Sequence, residues 1–204
     1  MITTEPTTET EGTAIYTCKR CKHQETRTFG KLNDGEPYVE GDFLKKGWDS
    51  VREIIKKSKE KDLVSITLNG AQTLPASVLS EIKGKDISLN LDMENGFIWK
   101  INGTSITAET PADIDLSVTN TAEYIPAALY SLISTNQNDF GFHLGRSGAF
   151  DFPAVLSVKA DASCAGLMAN LFWYDVENGV LQCIQTVTVG GAFERSIPYA
   201  DFTL

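Results

Sequence analysis

The sequence is short of the residues from which most active sites are built. Its 204 residues include only two histidines, His23 and His143, with four cysteines and three methionines. His23 stands beside a cysteine pair, so a Ser–His or Cys–His nucleophile would have to be assembled around His143. No Gly-x-Ser-x-Gly elbow, glycine-rich phosphate loop or His-Glu-x-x-His occurs, which removes the common hydrolase, nucleotide-binding and zinc-protease signatures. Four cysteines are too few for a disulfide-dense scaffold and leave the redox compartment open. No apolar run approaches the roughly 20 residues that cross a bilayer, so membrane insertion is not expected. The opening Met1-Ile2-Thr3-Thr4-Glu5-Pro6 lacks the basic and apolar regions of a secretory signal and reads as linker.

Positive charge is scarce as well. Eighteen Lys and Arg against 27 Asp and Glu give a net charge of −9 and a pI near 4.7. Such a chain has few cations to replace the counterions of a duplex, so nucleic acid is not an expected partner. Anionic lipid is disfavoured for the same reason, and the acidity reads as solubility.

What is present is the composition of an ordinary globular protein, 42% hydrophobic and 22% charged, which is enough to build a core. Residues 1–13 are rich in Thr and Glu and read as a flexible tail. Residues 14–29 read as a small β unit, two short strands around Cys18-Lys19-Arg20-Cys21. Residues 30–41, with three Gly and a Pro, read as a linker. The rest, 42–204, reads as one β-rich module.

Within that module Asp42–Glu60 is the strongest helix, with Trp48, Val51, Ile54 and Ile55 in an apolar stripe and Asp42 as N-cap. Its lysines read as a solvated face. Strands follow, separated by turn signals such as Asn69-Gly70, Asn95-Gly96, Asn102-Gly103 and Asn178-Gly179. Phe97, Trp99 and Ile101 share one face of an alternating strand. Leu167–Val176 and Val180–Val189 form a hairpin, and Ala192–Ile197 with Tyr199–Leu204 close the chain. One phrase occurs twice: Leu74-Pro75-Ala76-Ser77-Val78-Leu79-Ser80-Glu81-Ile82 is echoed by Ile125-Pro126-Ala127-Ala128-Leu129-Tyr130-Ser131-Leu132-Ile133. Each copy has strand-like runs on either side, in an internal pseudo-repeat of about 63–91 and 114–144. The copies are expected to be short Pro-initiated helices serving as equivalent end-caps. The expected fold is therefore mainly β, a β-sandwich or partly open barrel with one N-terminal amphipathic helix.

Few groups are candidates for chemistry. Cys18-x-x-Cys21-x-His23 has metal-like spacing, but a tetrahedral structural zinc needs four ligands, so the set is incomplete. Structural zinc there is the one cofactor the spacing allows. The same pair could also be a local disulfide or free thiols. A Cys164–Cys183 bridge is open from sequence, although Cys183, in Val180-Leu181-Gln182-Cys183-Ile184, reads as a small buried hydrophobe. Asp92-Met93-Glu94-Asn95-Gly96 and Asp175-Val176-Glu177-Asn178-Gly179 hold clustered carboxylates but lack a spaced calcium loop, and they read as hairpin turns. Asp113 and Asp115 are an acidic pair that a hydrolase could use as acid and base. Trp173 and Tyr174 are candidates for a sugar-stacking platform, while Trp48 and Trp99 read as core.

An ordered series carries a family resemblance: Gly47-Trp48-Asp49, Ile66-Thr67-Leu68-Asn69-Gly70, Leu74-Pro75, Ile82-Lys83-Gly84-Lys85-Asp86, Trp99-Lys100-Ile101-Asn102-Gly103 and the stretch from Ala165-Gly166-Leu167 to Asn178-Gly179. It resembles an accessory β-rich module of secreted and cell-surface proteins from Gram-positive gut anaerobes. Glu11-Gly12 to Cys21 is similar to the small Cys-x-x-Cys repeats that precede such modules, though a further cysteine usual before the Glu-Gly pair is missing. The resemblance implies an extracellular or cell-surface, non-enzymatic module with spacer, display or adhesion roles. Its implied partners are neighbouring domains of a larger protein, and glycans if the aromatics are exposed. It transfers no catalytic residues, and the closing Ile197–Phe202 lacks the His-x-Ser-like motif linked to self-cleavage in similar sandwiches. A carbohydrate-binding module is the alternative expectation, and a hydrolase using the acidic pair is the third.

Overall fold

Alternation of apolar and polar residues, interrupted at Phe97-Ile98-Trp99, builds the centre of the molecule. The computed structural model describes residues 2–4, 6–42, 45–134, 139–146, 150–190 and 199–204. Its main sheet has six strands in the order β15 (Tyr199–Thr203), β12 (Val155–Lys159), β8 (Phe97–Asn102), β7 (Ser88–Asp92), β5 (Leu63–Thr67) and β4 (Tyr38–Val39). All neighbours are antiparallel except β5 and β7, which are parallel. Register places Val39, Ile66, Leu91, Trp99, Leu156 and Phe202 in one row across all six strands. From Ile66 to Phe202 every member of that row is buried. Removing such side chains from water stabilises by roughly 1.5–3 kcal/mol each, which makes this row the main anchor of the sheet.

Trp99 is 1% exposed and carries a polar atom into the core. Its indole Nε1–H donates to the carbonyl oxygen of Leu116 at 2.9 Å, and Phe150 meets its ring edge-on at 5.2 Å between centroids. The buried donor is therefore satisfied.

Parallel pairing of β5 and β7 needs a crossover. It is made by β6 (Thr73–Leu74) and helix α2 (Ala76–Ile82), whose Val78, Leu79 and Ile82 are fully buried. Helix α1 (Trp48–Ile55) adds Val51 and Ile55 to the same core. It is shorter than the expected Asp42–Glu60, of which residues 43–44 lie outside the described set. Asp42 is not its N-cap. Gly47 takes that position with φ 91°, and its N–H is held by the Pro37 carbonyl at 2.8 Å. Asp42 instead pairs with Lys45.

The doubled phrase does not make equivalent caps. Its second copy forms helix α3 (Ala127–Ile133), which buries no residue, and Leu132 is 75% exposed. The flanking strands differ too. The strand-like run before the second copy is divided into β9 (Ile114–Asp115), which pairs with β6, and β10 (Val118–Asn120), which pairs antiparallel with β11 (Phe142–Leu144). The apolar positions of the two copies agree, but among the described residues only those of the first join the core.

The N-terminal residues contribute strands of their own. β1 (Ile2–Thr4), β2 (Gly12–Thr17) and β3 (Gln24–Phe29) form a three-stranded antiparallel sheet. Within 30–41, β4 joins the main sheet, and Asn69 explains how the segment is held. Asn69, only 1% exposed, accepts the Asn33 amide at 2.6 Å and donates to the Glu36 carbonyl and the Asp34 carboxylate. Asn69-Gly70 does form a turn, closed by the Ala71 amide on the Leu68 carbonyl at 2.9 Å, and the Asn69 side chain also clamps the preceding segment. Asn102-Gly103 likewise ends β8 at a close approach, where a Cβ on Gly103 would collide with the Ile82 carbonyl.

The expected C-terminal hairpin is present as β13 (Met168–Asp175) and β14 (Val180–Thr188). Ala169, Leu171 and Val187 pack its base on the core, and the side chain of Gln185 accepts the Thr203 amide on β15 at 3.0 Å. The expected strand Ala192–Ile197 lies outside the described residues. The chain is mainly β, and none of its sheets closes on itself.

Candidate functional site

Three places collect chemistry-bearing residues, and the first is the turn between β2 and β3. The Cys18 N–H donates to the His23 carbonyl at 2.8 Å, and the Lys22 N–H donates to the Cys18 carbonyl at 2.9 Å. Lys22 takes φ 61° to close the turn. The Cys21 amide donates to the Cys18 sulfur at 3.4 Å. That amide, then the Cys21 thiol and the Arg20 amide, holds the Cys18 thiol below its ordinary range, because each stabilises the thiolate. Cys18, Cys21 and His23 are all exposed. Cys18 and Cys21 come together, but His23 does not complete a group with them. Among the described residues no three His, Cys, Asp or Glu side chains converge in a way that could hold a metal ion.

The second place is the β13–β14 hairpin. A bulge after Leu171 shifts its register, and past it the hairpin carries several exposed apolar side chains. Trp173 is 50% exposed, Ile184 51%, and Phe172 and Tyr174 are half-buried. Cys183, expected to be buried, is exposed on this arm and unpaired with Cys164. An apolar stretch of sequence is exposed there because, among the described residues, no element packs over the far end of the arm. At its tip Asp175 Oδ1 accepts the amides of Glu177 and Asn178, and Oδ2 accepts the Asn178 side-chain amide. The side-chain bond, followed by the backbone ones, lowers the Asp175 carboxyl below its ordinary value. The matching Asp92 accepts the Glu94 amide at 2.8 Å. Both acidic clusters bond to their own turns, as tight hairpins require.

The third place was not anticipated. The outward side chains of β7, β8, β12 and β15 line a shallow open groove of about 480 Å³, including Ser88, Asn90, Ile98, Lys100, Ser157 and Tyr199. Two of these lining residues are held by Asp201, which accepts from Lys100 Nζ at 2.8 Å and from Ser157 Oγ at 2.6 Å. Lys100 and Asp201 lie 101 positions apart, and only the strand order makes them neighbours. The signal in the sequence was the outward half of these strands, polar at Ser88, Asn90, Lys100 and Ser157 and apolar at Ile98. That half becomes a site only when the strands are put in order. One carboxylate takes up both the lysine's charge and the serine's hydroxyl, so the trio ties three strands together rather than presenting a freed nucleophile.

No protein-family model, curated protein or solved structure matches the chain.

The remaining candidates are placed plainly. Asp113 accepts the Ala76 amide at the start of α2 at 2.7 Å, and Asp115 accepts the Ser117 amide at 2.8 Å. Each carboxylate satisfies a backbone donor that would otherwise lack a partner. His143 is exposed on β11, and its ring lies over Tyr124 at 4.4 Å between centroids. Trp99 is sealed in the core and Trp48 is packed against it, which leaves Trp173 as the accessible indole of the three.

Proposed function

We propose that this chain is a non-enzymatic accessory module of a larger extracellular or cell-surface protein, with a spacing, display or adhesion role. The observation behind this reading is how the polar residues are used. Asp92, Asp113, Asp115 and Asp175, four of the carboxylates considered for chemistry, accept backbone amides at turns or at the α2 start. Lys100 and Ser157 are both engaged by Asp201. Groups that could act on a substrate are employed in holding the fold, as expected of a module whose task is to keep its shape.

The finer architecture belongs to the same proposal. The main sheet, covered on one face by α1, α2 and the β6–β9 and β10–β11 pairs, is a sandwich-like layering. Its neighbours would be other domains of the parent protein. The family resemblance of the ordered motif series supports the extracellular setting.

A carbohydrate-binding role is the second reading, favoured by Trp173, with Tyr174 beside it on the standing arm. Exposed indoles offer flat apolar faces on which sugar rings stack. Both readings are tested by presenting the purified chain to a broad glycan array and to panels of glycoside, ester and peptide substrates. Blank panels on both sides support the accessory reading. Glycan binding that Trp173→Ala abolishes supports the second. Turnover that Asp113→Asn or Asp115→Asn abolishes would overturn both in favour of a hydrolase.

A further inference from the structure

The geometry points to the Cys18–Cys21 turn as a two-thiolate clamp for Zn²⁺, whose tetrahedral set is completed by the same pair from a second copy of the chain. This goes beyond the accessory reading and does not rest on it. The clamp is fixed before any metal arrives. Two backbone bonds close the turn, the left-handed Lys22 sets its shape, and the Cys21 amide is aimed at the Cys18 sulfur. Backbone amides directed at a sulfur favour the thiolate, the form that binds metal.

The pair is half of a set. Structural zinc is almost always four-coordinate, with thiolate or imidazole ligands, and no third ligand converges with the two sulfurs among the described residues. Residues 17–28 are all exposed, so the clamp stands at the tip of a hairpin, clear of the core. A second tip can approach it there.

Charge supports this occupant over a smaller one. Zn²⁺ with four thiolates carries a net charge of −2. In a chain of net charge −9, the two sulfurs are interleaved with Lys19, Arg20 and Lys22 and with no carboxylate between residues 18 and 24. Two such tips together surround the doubly negative centre with cations, and the centre in turn offsets their mutual repulsion. The soft sulfur pair also selects zinc over the oxygen-seeking magnesium and calcium.

The test uses the full chain, reduced and kept free of oxygen, titrated with Co²⁺ and then Zn²⁺. The expected result is the intense visible absorption of Co²⁺ in a tetrahedral thiolate site, saturating at one metal per two chains and lost when Zn²⁺ displaces it. Sedimentation should show the mass doubling with Zn²⁺ and returning with a chelator. Cys18→Ser and Cys21→Ser should each abolish the absorption and the dimer without moving the thermal midpoint of the metal-free chain, and His23→Ala should keep both. Absence of thiolate absorption from the reduced wild-type chain would overturn the proposal. So would saturation at one metal per monomer, or absorption that disappears in His23→Ala.

Discussion

Ile82 and Ile133 hold the same place in the two copies of the repeated phrase, yet truncating them should have very different costs. Ile82 is fully buried at the end of α2, where the backbone of Gly103 packs directly on its carbonyl. That contact leaves the site little room to collapse into a cavity. Buried Ile→Ala changes cost about 2–5 kcal/mol, and an unyielding site puts Ile82→Ala at about 3 kcal/mol. Ile133 is half-buried on α3, a helix with no buried residue, so Ile133→Ala should cost under about 1 kcal/mol. The slightly better helix propensity of alanine offsets both changes equally and drops out of the comparison. For a chain of this length about 2–4 °C accompanies each kcal/mol. The thermal midpoint should therefore fall by about 6–12 °C for Ile82→Ala and by no more than about 4 °C for Ile133→Ala. Calorimetry and urea unfolding of the two variants decide the matter. Equal losses, or a larger loss at Ile133, would refute the unequal packing of the two copies.

Trp99→Phe keeps most of the ring but leaves the Leu116 carbonyl without its indole donor, so urea unfolding should show a loss of about 1–3 kcal/mol. Trp173→Ala, on the open arm, should stay within about 0.5 kcal/mol of wild type in the same assay. Loss of hydration around the Glu94 carboxyl, then the charge of Asp92, raises its pKa above the ordinary 4.5. The folded chain thus binds this proton more tightly than the unfolded one. Its contribution favours folding below pH 4.5 and is lost as pH rises through the elevated value. Glu94→Gln should therefore be more stable than wild type at pH 7, with the gap closing in unfolding curves taken below pH 4.5.

Much of the fold was legible wherever one strand's own alternation decides burial. Phe97, Trp99 and Ile101 read as one inward face, and all three are buried. The hairpin about Asn178-Gly179 was equally plain, because a tight turn between two apolar runs is a local feature. What could not be read depends on partners distant in the chain. The two copies of the repeated phrase share their apolar pattern, and nothing within either copy reveals that, among the described residues, only α2 joins the core. Cys183 looked buried because its neighbours are apolar, but among the described residues nothing covers the far end of the arm that carries it. The groove around Lys100, Ser157 and Asp201 required the order β8-β12-β15, which joins strands separated by loops and by the hairpin. At the Cys18–Cys21 turn the spacing was visible, and the amide-to-sulfur bond that organises it was not.

The most direct test of an exported accessory module is protease shaving of intact cells that make the protein, followed by mass spectrometry of the released peptides. Peptides from exposed segments, such as the β2–β3 turn with the start of β3 and the arm tip around 176–179, should be released before lysis and in similar yield after it. Their appearance only after lysis, with a cytosolic marker, would contradict the proposed placement outside the cell.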